Sequence, residues 1–403
     1  MILDGDQKWS KLLDRCKSGL KEGIWLDCLL QPWKLIEKCF NYLMKGIKMA
    51  KVNDPLMINS IKVKNRITFS PTVKFNFAGP DAKVTEKHIR HYTERAEGGV
   101  GLICVEATAV EPGGRFAKNH LGLWDDSQIE GHTHITKACH ENDVVVLIQL
   151  NHTGITANPE CGPAIGPSAV KTRHGSLSKE MTISEIREMQ DLFVNAAIRA
   201  QKAGYDGIQL HGCHGYLINQ FVNKTTNLRS DEYGGSVENR ARFTAEILHR
   251  IRKECGDRFI LSVRTVGADP ELSDAVAIAE EYVKAGCNYL QVSHGIGEAE
   301  PGLKSETDPY NGICAMGVQF HKVFKGRIPT SCANGILKPD LVKYLIENEL
   351  TDTVDLARAI LADPVFPNAV LNGSEYTKCF ECPRCQYGPF TEHKCPAEIK
   401  RNR

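Results

Sequence analysis

Between residues 67 and 357 the chain alternates short β-branched runs with longer helical patterns, and the runs can be counted. They are 67–70 (ITFS), 100–106 (VGLICVE), 144–150 (VVVLIQL), 206–211 (DGIQLH), 259–264 (FILSVR), 288–293 (NYLQVS), 328–332 (IPTSC) and 353–357 (TVDLA), eight in all. Near-continuous apolar strands separated by helices describe a parallel sheet covered on its faces, and eight β/α repeats are the number at which such a sheet closes. The expected fold class is α/β, a (β/α)8 TIM barrel. Thr182 and Glu185 have capping-box spacing at the head of a helix over 182–203, and Gly286 ends one over 273–285. An open doubly wound sheet is the alternative. It is disfavoured because no G-x-G-x-x-G follows the first strand.

The barrel is expected over 49–372. Residues 1–48 differ in composition, with Trp9, Leu12, Leu13, Cys16 and Leu20 and then Trp25, Leu26, Leu29 and Leu30, and are expected to be a helical N-terminal extension. Such a segment serves as a partner-binding arm, as a cap on the barrel, or as a stretch preceding a start at Met49. Asp4, Asp6 and Asp14 argue against a targeting peptide, and Gln31-Pro32 breaks any span. Residues 373–403 form a Cys-rich tail. Fifty Lys and Arg against 49 Asp and Glu leave no overall basic field for nucleic acid. Fifteen cysteines, an odd number without a secretory signal, indicate reduced thiols and a cytoplasmic protein with no membrane partner.

In a barrel of this kind the active site is built at the C-terminal ends of the strands. Two of those ends are chemically pointed. Asn334-Gly335 after the seventh strand and Arg358 after the eighth offer close backbone approach and a fork of donors to an anion; a tight turn plus a surface arginine is the bland equivalent. After the fourth strand, His211, His214 and Tyr216 can project into one cavity, where two imidazoles and a phenol suit hydrogen bonding to a carbonyl and proton donation to carbon. Zinc binding and simple packing at the rim are the rivals. Cys213 alternates away from both histidines, so no third ligand is expected beside them.

The run HGCHGYLINQFVNKTTNLRSDEYGGSVENRARF (211–243) resembles the old yellow enzyme family of FMN-dependent NADH:flavin oxidoreductases. The resemblance extends over NRITFSP (65–71), VEATAV (105–110), IQLNHTG (148–154), the helix-opening Thr182, SVRT (262–265) and LARAILADP (356–364), and is greatest to the branch containing 2,4-dienoyl-CoA reductase. It implies FMN contacts from Pro71, Thr72, Ala107, Gln149 and Arg264, and a phosphate site at Asn334, Gly335, Ala357 and Arg358. It implies that His211 and His214 hold a substrate carbonyl and that Tyr216 donates a proton. Val73 stands where many members hydrogen-bond flavin O4, a departure unless Thr72 substitutes. The activity implied is reduction of the C=C bond of an enone or enoyl thioester, with NAD(P)H or ferredoxin as donor. A flavin-barrel tRNA dihydrouridine synthase and a non-catalytic flavin-binding subunit are the alternatives, against which near-neutral charge and the intact His211, His214, Tyr216 and Arg264 count. A second copy of the chain is a further partner the reading allows.

In the tail, Cys379, Cys382, Cys385 and Cys395 give C-x2-C-x2-C-x9-C followed by Pro396, while the other eleven cysteines scatter. Three close cysteines and a distant fourth favour a [4Fe–4S] cluster over tetrahedral zinc, whose ligands more often pair two and two. The resembling branch also carries a cluster just after its barrel, at a longer spacing.

Overall fold

In a computed structural model of the chain, residues 50–269, 271–296, 303–387 and 395–401 are described; the expected helical extension at 1–48 lies outside them. The chain enters through an antiparallel hairpin of β1 (Leu56–Ile58) and β2 (Ile61–Val63), whose turn is eased by Asn59 at φ 55°. Then come β3 (Ile67–Phe69), β4 (Leu102–Ala109), β5 (Val145–Asn151), the two-residue pair β6 (Ile165–Gly166) and β7 (Lys179–Glu180), β8 (Gly207–Gly212), β9 (Ile260–Val266), β10 (Tyr289–Ser293), β11 (Thr330–Ala333) and β12 (Thr353–Leu356). Strands β3, β4, β5 and β8 to β12 pair in parallel into a closed barrel of eight, each within a few residues of a run read from the sequence.

The intervening helices are α1 (Glu86–Glu97), α2 (Ile129–His140), α3 (Ile183–Lys202), α4 (Leu217–Val222), α5 (Val237–Cys255), α6 (Leu272–Lys284), α7 (Gly312–Phe324), α8 (Pro339–Glu347), α9 (Arg358–Ala362), α10 (Phe366–Asn372) and, in the tail, α11 (Pro396–Arg401). Thr182 caps α3 in the expected box with Glu185, and Gly286 follows α6 at φ 101°. No described helix is long and apolar enough to cross a membrane.

Two features position the site. The hairpin stoppers the N-terminal end of the barrel: Ile58 and Val63 pack with Leu102, Cys104, Val145, Leu147, Ile260 and Tyr289 in a buried apolar floor. At the other end, β4 slips register against β5 between Val105 and Thr108. Leu102 and Cys104 point to the barrel interior, so simple alternation would send Glu106 inward and Ala107 out. The irregularity reverses that. Glu106 turns to the helix side, where it accepts from the Lys74 backbone N–H at 2.7 Å and the Tyr92 hydroxyl at 3.3 Å, and Ala107 lines the barrel mouth.

Candidate active site

The C-terminal ends of the strands surround a cavity of about 660 Å³. Pro71, Ala107, Gln149, Arg264, His211, His214 and Tyr216 all line it, so residues between 71 and 264 in sequence meet in one chamber. A second hollow of about 430 Å³ shares His214 and Arg264 with the first and adds Asn334, Gly335, Ala357 and Arg358. The shared walls make one elongated site with a ring-sized chamber at one end and a donor-rich pocket at the other. Thr72 lines neither hollow and donates its hydroxyl to the Ser70 carbonyl at 3.1 Å, whereas Val73 faces the chamber, as the departure in sequence implies.

Local backbone explains the histidine pair. β8 ends at Gly212, and His214 and Gly215 take φ of 60° and 77°, which reverses the chain within two residues. That reversal also breaks alternation. Cys213 therefore does not point away as expected: its sulfur lies within 4.8 Å of the ligating nitrogens of His211 and His214. Both imidazoles of the trio are engaged in hydrogen bonds, and burial pushes the Cys213 thiol up to about 12. His211 Nε2 lies 3.0 Å from His214 Nδ1, and His214 Nε2 lies 2.8 Å from the Ser293 hydroxyl. Burial depresses both imidazoles, aided at His211 by His214, Arg264 and His120 and at His214 by Arg264 and His294, taking His214 to about 3 and His211 well below its ordinary value. His214 is exposed only in the sense that it faces the cavity; protein surrounds the ring on its other sides, which is why desolvation dominates.

Tyr216 sits at the N-terminus of α4, edge-on to His211 and to Phe116 at 4.8 Å between ring centres in each case. Burial raises its phenol to about 12. Helix α4 is braced from beneath: the Gly215 N–H donates to Asn219, Asn219 and Asn223 both donate to the buried Asp269, and Gln220 donates to the Gly215 and Thr153 carbonyls. The long motif over 227–240 extends this brace. Asn227 donates to the Phe221 and Tyr233 carbonyls, Arg229 grips Asp231, and Arg240 pairs with Asp274 at 2.8 Å while donating to the Val222 carbonyl. None of these motif residues lines the chamber.

Sequence reasoning missed the outer wall. Phe75, Asn76, Phe116, Asn119, Asn158 and Arg173 reach the chamber from loops that carry no periodic signal. It also missed Asp355, buried beside Arg264 in the second hollow.

The residues suit a flavin mononucleotide. Arg264 Nε and one carboxylate oxygen of Asp355 are buried without partners, orphans that a polar ligand would satisfy. Asn334 and Gly335, both on the donor-rich pocket, take φ of 79° and 72°, and a Cβ on Gly335 would lie 2.4 Å from the Asn311 amide, so this turn favours glycine.

The tail lies against the same region. Cys379, Cys382, Cys385 and Cys395 line one small hollow together with Arg358 and Tyr387, all four as free thiols, and Cys382 and Cys385 also line the donor-rich pocket. Lys74, buried in the loop that carries Val73, stacks its ammonium 3.8 Å over the Tyr387 ring and ties the tail to the chamber wall. Burial and the nearby Arg95 lower the Lys74 pKa.

Among solved structures the chain is similar to a 2-naphthoyl-CoA reductase in complex with 2-naphthoyl-CoA, at TM-score 0.76 and 25% identity over 85% of this chain and 57% of that one. It thus spans little more than half the length of that relative. It is similar to the old yellow enzyme homologue from Zymomonas mobilis, at TM-score 0.71 and 25% identity over 86% of this chain and 99% of that one. In fold it also matches morphinone reductase in complex with tetrahydroNAD, at TM-score 0.69 and 24% identity over 82% and 92%. The family match covers residues 51–376, from the entry hairpin to the start of the tail, and the chain belongs to the NADH:flavin oxidoreductase / NADH oxidase family.

Proposed function

We propose that the chain is an FMN-dependent ene-reductase that saturates the C=C bond of an α,β-unsaturated carbonyl compound. The observation that carries this reading is the convergence of His211, His214 and Tyr216 with Gln149 and Arg264 on one chamber. Pro71, Ala107, Gln149 and Arg264 would hold the flavin ring, and Asn334, Gly335, Ala357 and Arg358 its phosphate. Bound and reduced, FMN supplies the hydride equivalent that adds to the β-carbon.

The protein's own groups do the rest. If the Ser293 hydroxyl donates to His214 Nε2, the His214 proton is fixed on Nδ1, facing His211. A carbonyl oxygen entering between the rings takes over the His214 Nδ1–H bond, and it gains a second donor when His211, whose Nδ1 has no partner, carries its proton on Nε2 instead. Both donors stay neutral, so they stabilise the developing enolate without transferring a proton to it. Tyr216 then protonates the α-carbon, and Phe116 covers the phenol against water.

We assign the tail a [4Fe–4S] cluster. Its four cysteines line one hollow, three of them close in sequence and the fourth distant. Adjacent to the flavin phosphate pocket, such a cluster suits single-electron delivery from a ferredoxin-type partner, in addition to NAD(P)H entering the chamber.

Two measurements bear on these assignments. Arg358→Ala should weaken FMN binding about ten- to a hundredfold by fluorescence titration, the worth of one charge-assisted contact; unchanged affinity removes the phosphate assignment. Among the described residues the chamber wall carries Arg173 and no carboxylate, which would favour substrates bearing a negative charge. Arg173→Gln should lower kcat/KM for a carboxylated enone roughly fivefold, since Arg173 is exposed, and leave a neutral cyclic enone unaffected; equal loss for both would rule that preference out.

A further inference from the structure

Above the apolar floor, the barrel interior contains a layer of polar side chains that are almost wholly buried. Gln149 on β5, Gln209 on β8, Gln291 on β10 and Asp355 on β12 are each 3% exposed or less. They form one continuous chain of hydrogen bonds. Gln149 Nε2 donates to Gln209 Oε1 at 2.7 Å, Gln209 Nε2 donates to Gln291 Oε1, and Gln291 Nε2 donates to Asp355 Oδ1 at 2.8 Å.

A chain of amides has two senses, and something must choose between them. Each glutamine offers an oxygen at one corner and an NH2 at the other, so turning one turns its neighbour. Asp355 is the member that breaks the symmetry, because an ionised carboxylate only accepts. It obliges Gln291 to present Nε2, leaves Gln291 Oε1 for Gln209, and leaves Gln209 Oε1 for Gln149. At the far end Gln149, which lines the ring chamber, has committed Nε2 inward, so its free acceptor is Oε1. Burial raises the Asp355 carboxyl to about 7, with Arg264 on the same hollow opposing it; in either form Oδ1, the atom Gln291 reaches, accepts, because a proton on the carboxyl is carried by the partnerless Oδ2.

We propose that Asp355 is a positioning residue which, through Gln291 and Gln209, fixes the amide of Gln149 so that the chamber offers an acceptor to an imide N–H. The inference rests on the flavin reading, since the flavin pyrimidine supplies such an N–H. It assigns the ring's orientation to a carboxylate on the opposite side of the barrel, and it accounts for three amides buried where most barrels pack aliphatic side chains.

The test uses holoprotein reconstituted with FMN labelled with ¹⁵N at N3, in wild type, Asp355→Leu, Asp355→Asn, Gln149→Leu and the double variant Asp355→Leu/Gln149→Leu. Asp355→Leu is expected to weaken FMN binding roughly three- to tenfold, the range of one net hydrogen bond, and to move the N3–H resonance toward that of free FMN. Asp355→Asn, nearly isosteric and able to turn its oxygen to Gln291, is expected to fall between wild type and Asp355→Leu on both measures. In the Gln149→Leu background the Asp355 change is expected to cost less than about twofold, because its route to the flavin has gone. The same loss with and without Gln149, or an N3–H resonance that neither Asp355 variant moves, overturns the proposal while leaving the flavin reading in place. A wild type that takes up no FMN overturns both.

Discussion

In a Tyr216→Phe protein, reduction of bound FMN by NAD(P)H is expected to run within about twofold of wild type, while reoxidation by an enone slows roughly 10²- to 10³-fold, the usual worth of a positioned general acid. The asymmetry follows from where the phenol acts. As the proposed proton donor it would reach the α-carbon of the acceptor and take no part in hydride transfer from the donor, so its loss should fall on one half-reaction in stopped-flow traces. Equal losses in both would remove Tyr216 from the proton-donor role. The same geometry sets the pH profile. Phenol acidity near 12 keeps Tyr216 protonated, and imidazoles depressed by burial, His214 to about 3 and His211 well below its ordinary value, stay neutral, so these three groups put no inflection in the oxidative half-reaction between about pH 5 and pH 10. A histidine at its ordinary value would have placed one near 6.5.

Protein prepared without oxygen is expected to contain about four iron atoms per chain, the content of one Cys₄-ligated [4Fe–4S] cluster, and Cys382→Ser to lose that iron while keeping FMN. Cys382, like Cys385, is informative because it lines both the four-cysteine hollow and the donor-rich pocket, so a change there tests whether the two are chemically separate. A serine oxygen is a poorer ligand for iron than thiolate but occupies almost the same volume. Stoichiometric zinc without iron would end the electron-relay idea and leave the ene-reductase reading untouched. Loss of both iron and flavin would make the tail part of the flavin site itself.

The barrel was legible because its signal is repeated: eight apolar runs, each long enough to recognise, with helix caps such as Thr182 and Glu185 between them. Tyr216 and the histidines were legible because they stand at a strand end. Other features leave no such trace. The swap of Glu106 and Ala107 depends on one register slip in β4, and nothing in VEATAV announces it. The position of Cys213 depends on a positive φ at His214, which overrides the alternation read from sequence. Asp355 looks like one more residue of a strand until the opposite wall is in view. The most recognisable stretch of the chain, 227–240, also proves to act at one remove: Asn227 and Arg240 brace α4, and none of the stretch lines the chamber.

The hairpin that stoppers the barrel makes it a cup instead of a conduit. With Ile58 and Val63 sealing the base, the proposed nicotinamide donor and enone acceptor would both enter by the chamber mouth and need the same space over the ring. On that reading donor and acceptor would take turns, each leaving before the other enters, so that an excess of either crowds out its counterpart. Electrons arriving by way of the tail would escape that queue, since they need no room in the cup at all.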